Sequence, residues 1–143
     1  MEPALKPKIE VTATVDTDPP TTWMLWTTPE HIMNWNNASP EWHTPKAEND
    51  LREGGQFSFR MEARDGSFGF DFGGTYDLVN APTQLGYTLG DGRKVEISFA
   101  GNGTGTEIIQ VFEAEEENEM ELQRAGWQAI LNNFKEYAAR LKS

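Results

Sequence analysis

The chain predicts an α+β domain: one curled antiparallel sheet of about six to seven strands wrapped around a long C-terminal helix. Three observations carry this. From Asn118 to Lys142 the residues Trp127, Ile130, Phe134, Tyr137 and Leu141 recur at steps of three and four, with Met120 and Gln123 extending the stripe backwards. From Phe57 to Phe112 apolar and polar residues alternate between short Gly-containing turns. Between the first strand and that region, Asp18-Pro19 and Thr28-Pro29 each read as a helix start. About 25 helical residues span roughly 37 Å, the width of a small domain, so the last helix needs a large apolar partner and a curled sheet supplies it.

Residues 1–7 contain two prolines and read as a loose lead-in to a single domain spanning 1–143. Ile9, Val11, Ala13 and Val15 alternate with polar residues, as a half-buried strand does. Asp18 and Pro19 open a helix whose core face carries Trp23 and Trp26, with Met24 and Leu25 beside them. A second short helix runs from Pro29 to about Trp35, and a loop from Asn36 to Pro40 leads to a weak strand, Trp42 to Glu48. Phe57, Phe59, Met61 and Ala63 alternate up to the hairpin turn Asp65-Gly66. Phe68, Phe70, Phe72, Gly74, Tyr76 and Leu78 alternate in the returning strand, which Asn80-Ala81-Pro82 ends. Leu85, Tyr87 and Leu89, then Val95, Ile97 and Phe99, then Thr106 to Phe112 complete the set. Short connections make these strands antiparallel neighbours. Asn118 suits the N-cap of the long helix, with Glu121 three residues on to reach back to it.

Composition excludes several classes of function. The formal charge of −11 argues against nucleic-acid or anionic-membrane partners, which need a positive face. Cysteine is absent, which removes disulfides, thiolate metal sites and Cys nucleophiles and fits a reducing compartment. No stretch approaches a membrane span and the first residues carry no signal-peptide core, so the expected location is the cytoplasm. Neither GxSxG nor HExxH occurs, so no hydrolase or zinc motif is present and neither a metal nor a cofactor is expected. The Gly101–Gly105 run joins two strands rather than opening a helix, so it is a flexible hairpin and not a phosphate loop. Asp65 and Asp91 are explained by their turns, and Asp71 and Asp77 by outward-facing ion pairs.

What remains is the space between sheet and helix. Its lining would come from inward-facing Phe59, Met61, Phe70, Phe72, Tyr76, Tyr87 and Phe99, with Trp127 and Ile130 from the long helix and Trp35 at the mouth. The same spacing also suits a filled core, so alternation alone leaves cavity and core both open. His31 and His43, the two histidines, read as surface or hydrogen-bonded side chains, with a general-base role as the alternative.

Several stretches resemble one family, in order and over nearly the whole chain. They are TWMLWTTPEHIMNW (22–35), NDLREGGQFSFRMEARDGSFGFDFGGTYDLV (49–79), GDGRKVEISF (90–99), GTGTE (103–107) and QRAGWQAILNNF (123–134). They resemble the START-like (SRPBCC), helix-grip superfamily, and within it proteins similar to activators of the heat-shock protein 90 ATPase. The resemblance implies a helix-grip fold. It implies a superfamily of lipid and hormone binders, polyketide cyclases and co-chaperones, so fold analogy alone selects no function. The expected activity is non-catalytic binding of a small apolar or amphipathic molecule. The alternatives are a protein-interaction or co-chaperone module, implied by the resemblance, and a cyclase-like enzyme using His43 or a buried carboxylate. A homodimer is compatible with all three.

Overall fold

A computed structural model describes residues 7–142; residues 1–6 of the expected lead-in lie outside the described residues. The order is β1 (Lys8–Val15), α1 (Pro19–Thr27), α2 (Pro29–Trp35), β2 (Trp42–Asn49), β3 (Gln56–Ala63), β4 (Gly69–Asn80), β5 (Gln84–Leu89), β6 (Lys94–Gly101), β7 (Thr106–Glu113) and α3 (Met120–Lys142). The sheet has seven strands in the order β1-β7-β6-β5-β4-β3-β2, all neighbours antiparallel. From β2 to β7 each strand lies beside the next, as short turns require. β1 and β2 stand at opposite edges, and the two short helices carry the chain across. With the sheet curled around α3, this is the helix-grip fold.

The turns form where the sequence places them. Asp65 Oδ1 accepts from Ser67 N at 2.8 Å and Asp91 Oδ1 from Arg93 N at 3.1 Å. The glycines that follow, Gly66 and Gly92, take φ of 78° and 93°, which other residues rarely adopt. Asp71 faces Arg60 across the β3–β4 pair at 3.7 Å, and Asp77 lies 3.9 Å from Lys94, both on the outer surface.

Asp18 caps α1, its Oδ1 accepting from Thr21 N at 3.0 Å. The bonds to Thr21 hold its carboxyl below the ordinary value of 3.8. A depressed folded-state pKa contributes stability that is complete above the unfolded value and lost as pH falls through the folded one. Asp18→Ala is therefore expected to lower the melting temperature near neutral pH. Asp18→Asn keeps the acceptor and should lower it less. The difference between Asp18→Ala and the parent should shrink below about pH 3.8, as thermal scans across pH would show. Thr28 opens α2 without a side-chain cap bond and also closes α1, its N–H donating to Met24 O at 3.0 Å.

Four expectations need correction. α3 starts at Met120, with Gln123 N bonded to Glu119 O, so Asn118 is not its cap. The Asn118 amide is instead taken by the Glu115 carboxylate. The buried seam of α3 is Leu131, Phe134, Tyr137 and Ala138; Met120 and Leu141 stay exposed on its terminal turns. Leu131 stands four residues from Trp127 and three from Phe134, which puts it on their face. Phe68 precedes β4 and is 60% exposed. Leu78 faces outwards because the β4–β5 register shifts between Tyr76 and Leu78, so alternation inverts after Tyr76 and Val79 turns inwards instead.

α3 lies along β1. Arg124 Nη1 donates to Glu10 O at 2.8 Å and Gln128 Nε2 to Thr12 O at 3.0 Å. Its C-terminal half is tied to α2: His31 Nδ1 and the Tyr137 hydroxyl lie 2.6 Å apart, and Asn133 Nδ2 donates to Trp35 O at 2.8 Å. The core fills the space beneath these contacts, with Ile9, Ile32, Phe99, Ile108, Phe112, Leu131 and Phe134 essentially inaccessible.

Candidate functional site

The sheet is filled at one end and open at the other. α1 sets Trp23 and Trp26 edge-on to Phe99, with centroids 5.6 and 5.7 Å away. Phe99, expected in the cavity lining, is therefore a closed core residue, 1% exposed. Beyond it, a cavity of about 430 Å³ separates the N-terminal half of α3 from β3, β4 and β5. That volume is in the range of drug-sized ligand sites.

All the other residues picked from sequence line this space. Phe59 and Met61 come from β3, Phe70, Phe72 and Tyr76 from β4, Tyr87 from β5, Trp127 and Ile130 from α3, and Trp35 from α2. Alternation places the strand residues on the concave face. Trp127 spans the groove: it stacks on Phe112 of β7 at 3.9 Å and 10°, and meets Phe72 of β4 edge-on at 6.0 Å. Phe57, which shares the parity of Phe59, is the ring hub, with Tyr87, Phe59 and Tyr76 centred 4.8 to 5.2 Å from it. Its omission from the sequence set broke the alternation rule that had selected its neighbours.

The mouth lies at one end of the strands. The register places Trp42 (paired with Ala63), the Met61–Phe70 pair, the β5–β6 turn and the end of β7 together. Asn36 and Ala38 from the α2–β2 loop, Arg93 from the β5–β6 turn, and Glu115, Asn118 and Leu122 around the start of α3 also line the cavity. No periodicity marks these loop residues. Gln110 carried a signal, since it is polar at an inward position between Ile108 and Phe112, and it is 5% exposed.

Most polar groups of the lining are paired. The Tyr76 hydroxyl donates to Asn49 Oδ1 at 2.6 Å, and Tyr87 bonds the Gln110 side chain. Gln123 Oε1 accepts from Glu115 N at 2.8 Å while its Nε2 donates to Asn118 O at 2.8 Å. Burial pushes the phenols of Tyr76 and Tyr87 well above their ordinary range, and at Tyr87 the neighbouring Tyr76 adds to it. Both are neutral hydrogen-bonding groups at physiological pH. Two donors stand apart. Asn36 Nδ2 is buried with no partner among the described residues. Arg93, with only 18% of its side chain exposed, bonds Asp91 Oδ2 through Nε at 2.7 Å.

Neither histidine lines the cavity. His31 is engaged with Tyr137, and His43 lies 3.8 Å from Glu62. Among the described residues no cluster of three or more His, Asp or Glu side chains is placed to hold a metal. No described helix is long and apolar enough to cross a membrane.

The family model described as "Activator of Hsp90 ATPase homolog 1-like protein" matches residues 16–139, from ahead of α1 to within the last turn of α3. The chain belongs to this Hsp90 ATPase activator-like family. Among solved structures similar to it is an AHSA1-like protein from Aeromonas hydrophila, 42% identical over 94% of each chain, with a TM-score of 0.90. Chr148 from Cytophaga hutchinsonii is 51% identical over 94% of this chain and 92% of its own, with a TM-score of 0.79. Protein NE0264 from Nitrosomonas europaea, at 18% identity and TM-score 0.81, shares the fold. None of the curated proteins matches the chain. In this AHSA1-like chain the cavity sits between α3 and the concave face of the sheet that grips it.

Proposed function

We propose that this chain binds one small apolar or amphipathic molecule, without covalent chemistry, in the cavity between the sheet and α3, and that it does so in the cytoplasm. The supporting observation is the cavity's lining: nearly half of it is aromatic, its body is apolar, and its polar groups gather at the mouth and at a few paired positions inside. Rings bury much area at low conformational cost and give an apolar ligand both faces and edges to pack on. The titratable groups of the lining are Tyr76, Tyr87, Arg93 and Glu115. Burial holds the two phenols neutral, so they suit hydrogen bonding to a ligand better than proton abstraction.

Gly126 makes this testable. It faces the cavity from α3, and a Cβ there would meet nothing within 4 Å. Gly126→Phe places a ring in the cavity while improving helix propensity. Native mass spectrometry on protein purified from its own host, followed by organic extraction, should find a bound small molecule on the parent chain and none on the Gly126→Phe variant. A parent chain that carries nothing, or a variant that carries as much, counts against the reading.

A second reading, a protein contact of the co-chaperone kind, draws on the family and on the mouth's apolar rim. Phe68, Phe70 and Leu122 are 60%, 40% and 62% exposed, and Trp42 packs against both phenylalanines at 6.0 Å. An empty parent chain that captures a host chaperone through this rim, and loses it on Phe68→Ser, would favour that reading.

A further inference from the structure

We propose that the cavity's ligand is a ring-bearing organic anion, its carboxylate held at the mouth by Arg93. This rests on the binding reading above and adds the ligand's charge and polar group.

The first support is hydrogen-bond accounting. Several polar groups of the lining have partners: Glu115 Oε1 takes the Asn118 amide, Gln123 is bonded at both ends, Gln110 bonds Tyr87, and the Tyr76 hydroxyl donates to Asn49. Two donors have capacity to spare. Arg93 uses Nε on Asp91, which leaves the four Nη hydrogens for other acceptors, and Asn36 Nδ2 is buried without a partner. A ligand that completes this set brings an acceptor.

The second support is charge. In a chain of net charge −11, two charged side chains line the cavity, Arg93 and Glu115, and the Arg93 guanidinium is mostly shielded from solvent. A guanidinium in a low-dielectric setting favours a carboxylate, which it can take through two parallel N–H groups. Glu115 lies at the mouth, where its Oε1 accepts from the Asn118 amide. A cationic ligand would meet Arg93 with like charge.

The third support is the shape of the body. Phe57, Phe59, Phe72, Tyr87 and Trp127 surround the space beyond Arg93, so the apolar part of the ligand packs on rings.

The test uses three probes with one ring body, titrated calorimetrically into the whole chain: naphthoate, acetylnaphthalene and naphthylmethylammonium. Naphthoate should bind about tenfold or more tighter than the ammonium probe. Arg93→Met should weaken naphthoate about tenfold and change acetylnaphthalene less than about twofold. Arg93→Glu should reverse the order of anion and cation. Arg93 lies in the β5–β6 turn, outside the closed core, so both variants should fold, and their melting temperatures check it. If naphthoate and acetylnaphthalene bind equally and Arg93→Met changes neither, the anion anchor is wrong while the binding reading stands. If decanoate matches naphthoate, the ring requirement is wrong. If no probe binds, both proposals fall.

Discussion

Replacing Phe134 by Ala should destabilise the chain by about 3–5 kcal/mol, read from urea unfolding with the m-value unchanged. Phe134 is inaccessible to solvent and meets Trp26 at 65° and Trp35 at 81°, each centroid 4.9 Å away. It thus joins α1, α2 and α3 at one point. Both tryptophans also line the cavity, so the same substitution should loosen that wall and weaken ligand binding. The long helix's stripe suggests an equal loss for Trp127→Ala. Trp127 is only partly buried, because one of its sides faces the cavity. Its truncation should cost about half as much as that of Phe134, since less area leaves water on folding. A loss under about 1 kcal/mol at Phe134 would mean that α3 is not docked as described.

Gly74→Val should be the second large effect, a loss of about 1–3 kcal/mol or more and a lower melting temperature. Strand propensity alone predicts the opposite sign, since valine is favoured over glycine in strands. Geometry decides it. Gly74 pairs with Phe57 on one side and Leu89 on the other, and a Cβ there would overlap the Thr88 carbonyl oxygen of β5. At Gly73 the obstacle is the Phe57 carbonyl of β3. These oxygens belong to strand backbone and cannot rotate away, so the sheet itself must open. The glycine pair lets β3 and β5 lie close against β4 at this point. A stabilised Gly74→Val protein would show that this close approach does not need glycine.

Much of this was legible in the sequence because it rests on period and punctuation. Phe59, Met61, Phe70 and Phe72 share the concave face because side chains alternate, and Asp65-Gly66 and Asp91-Gly92 are turns because glycine tolerates positive φ. Illegible parts were those set by tertiary packing. Alternation could not show that Phe99 lies under α1 while Phe72 lies under open space, since both face inwards. Nor could it place the register shift after Tyr76, which turns Leu78 out opposite Gly86. Arg93 and Asn36 sit in connections with no period, and only the folded mouth brings them to the cavity.

The two bonds from α3 to β1 have a consequence outside the site. An open sheet ends in two strands whose outer backbone groups can recruit another chain. Here the carbonyls of Glu10 and Thr12 are already taken by Arg124 and Gln128. At the far edge, β2 carries Pro45, exposed Lys46 and a break in register between His43 and Lys46. Each edge is blunted by different means, one by a helix laid beside it and one by its own residues. The chain can therefore keep an open, ligand-sized sheet without inviting edge-to-edge polymerisation.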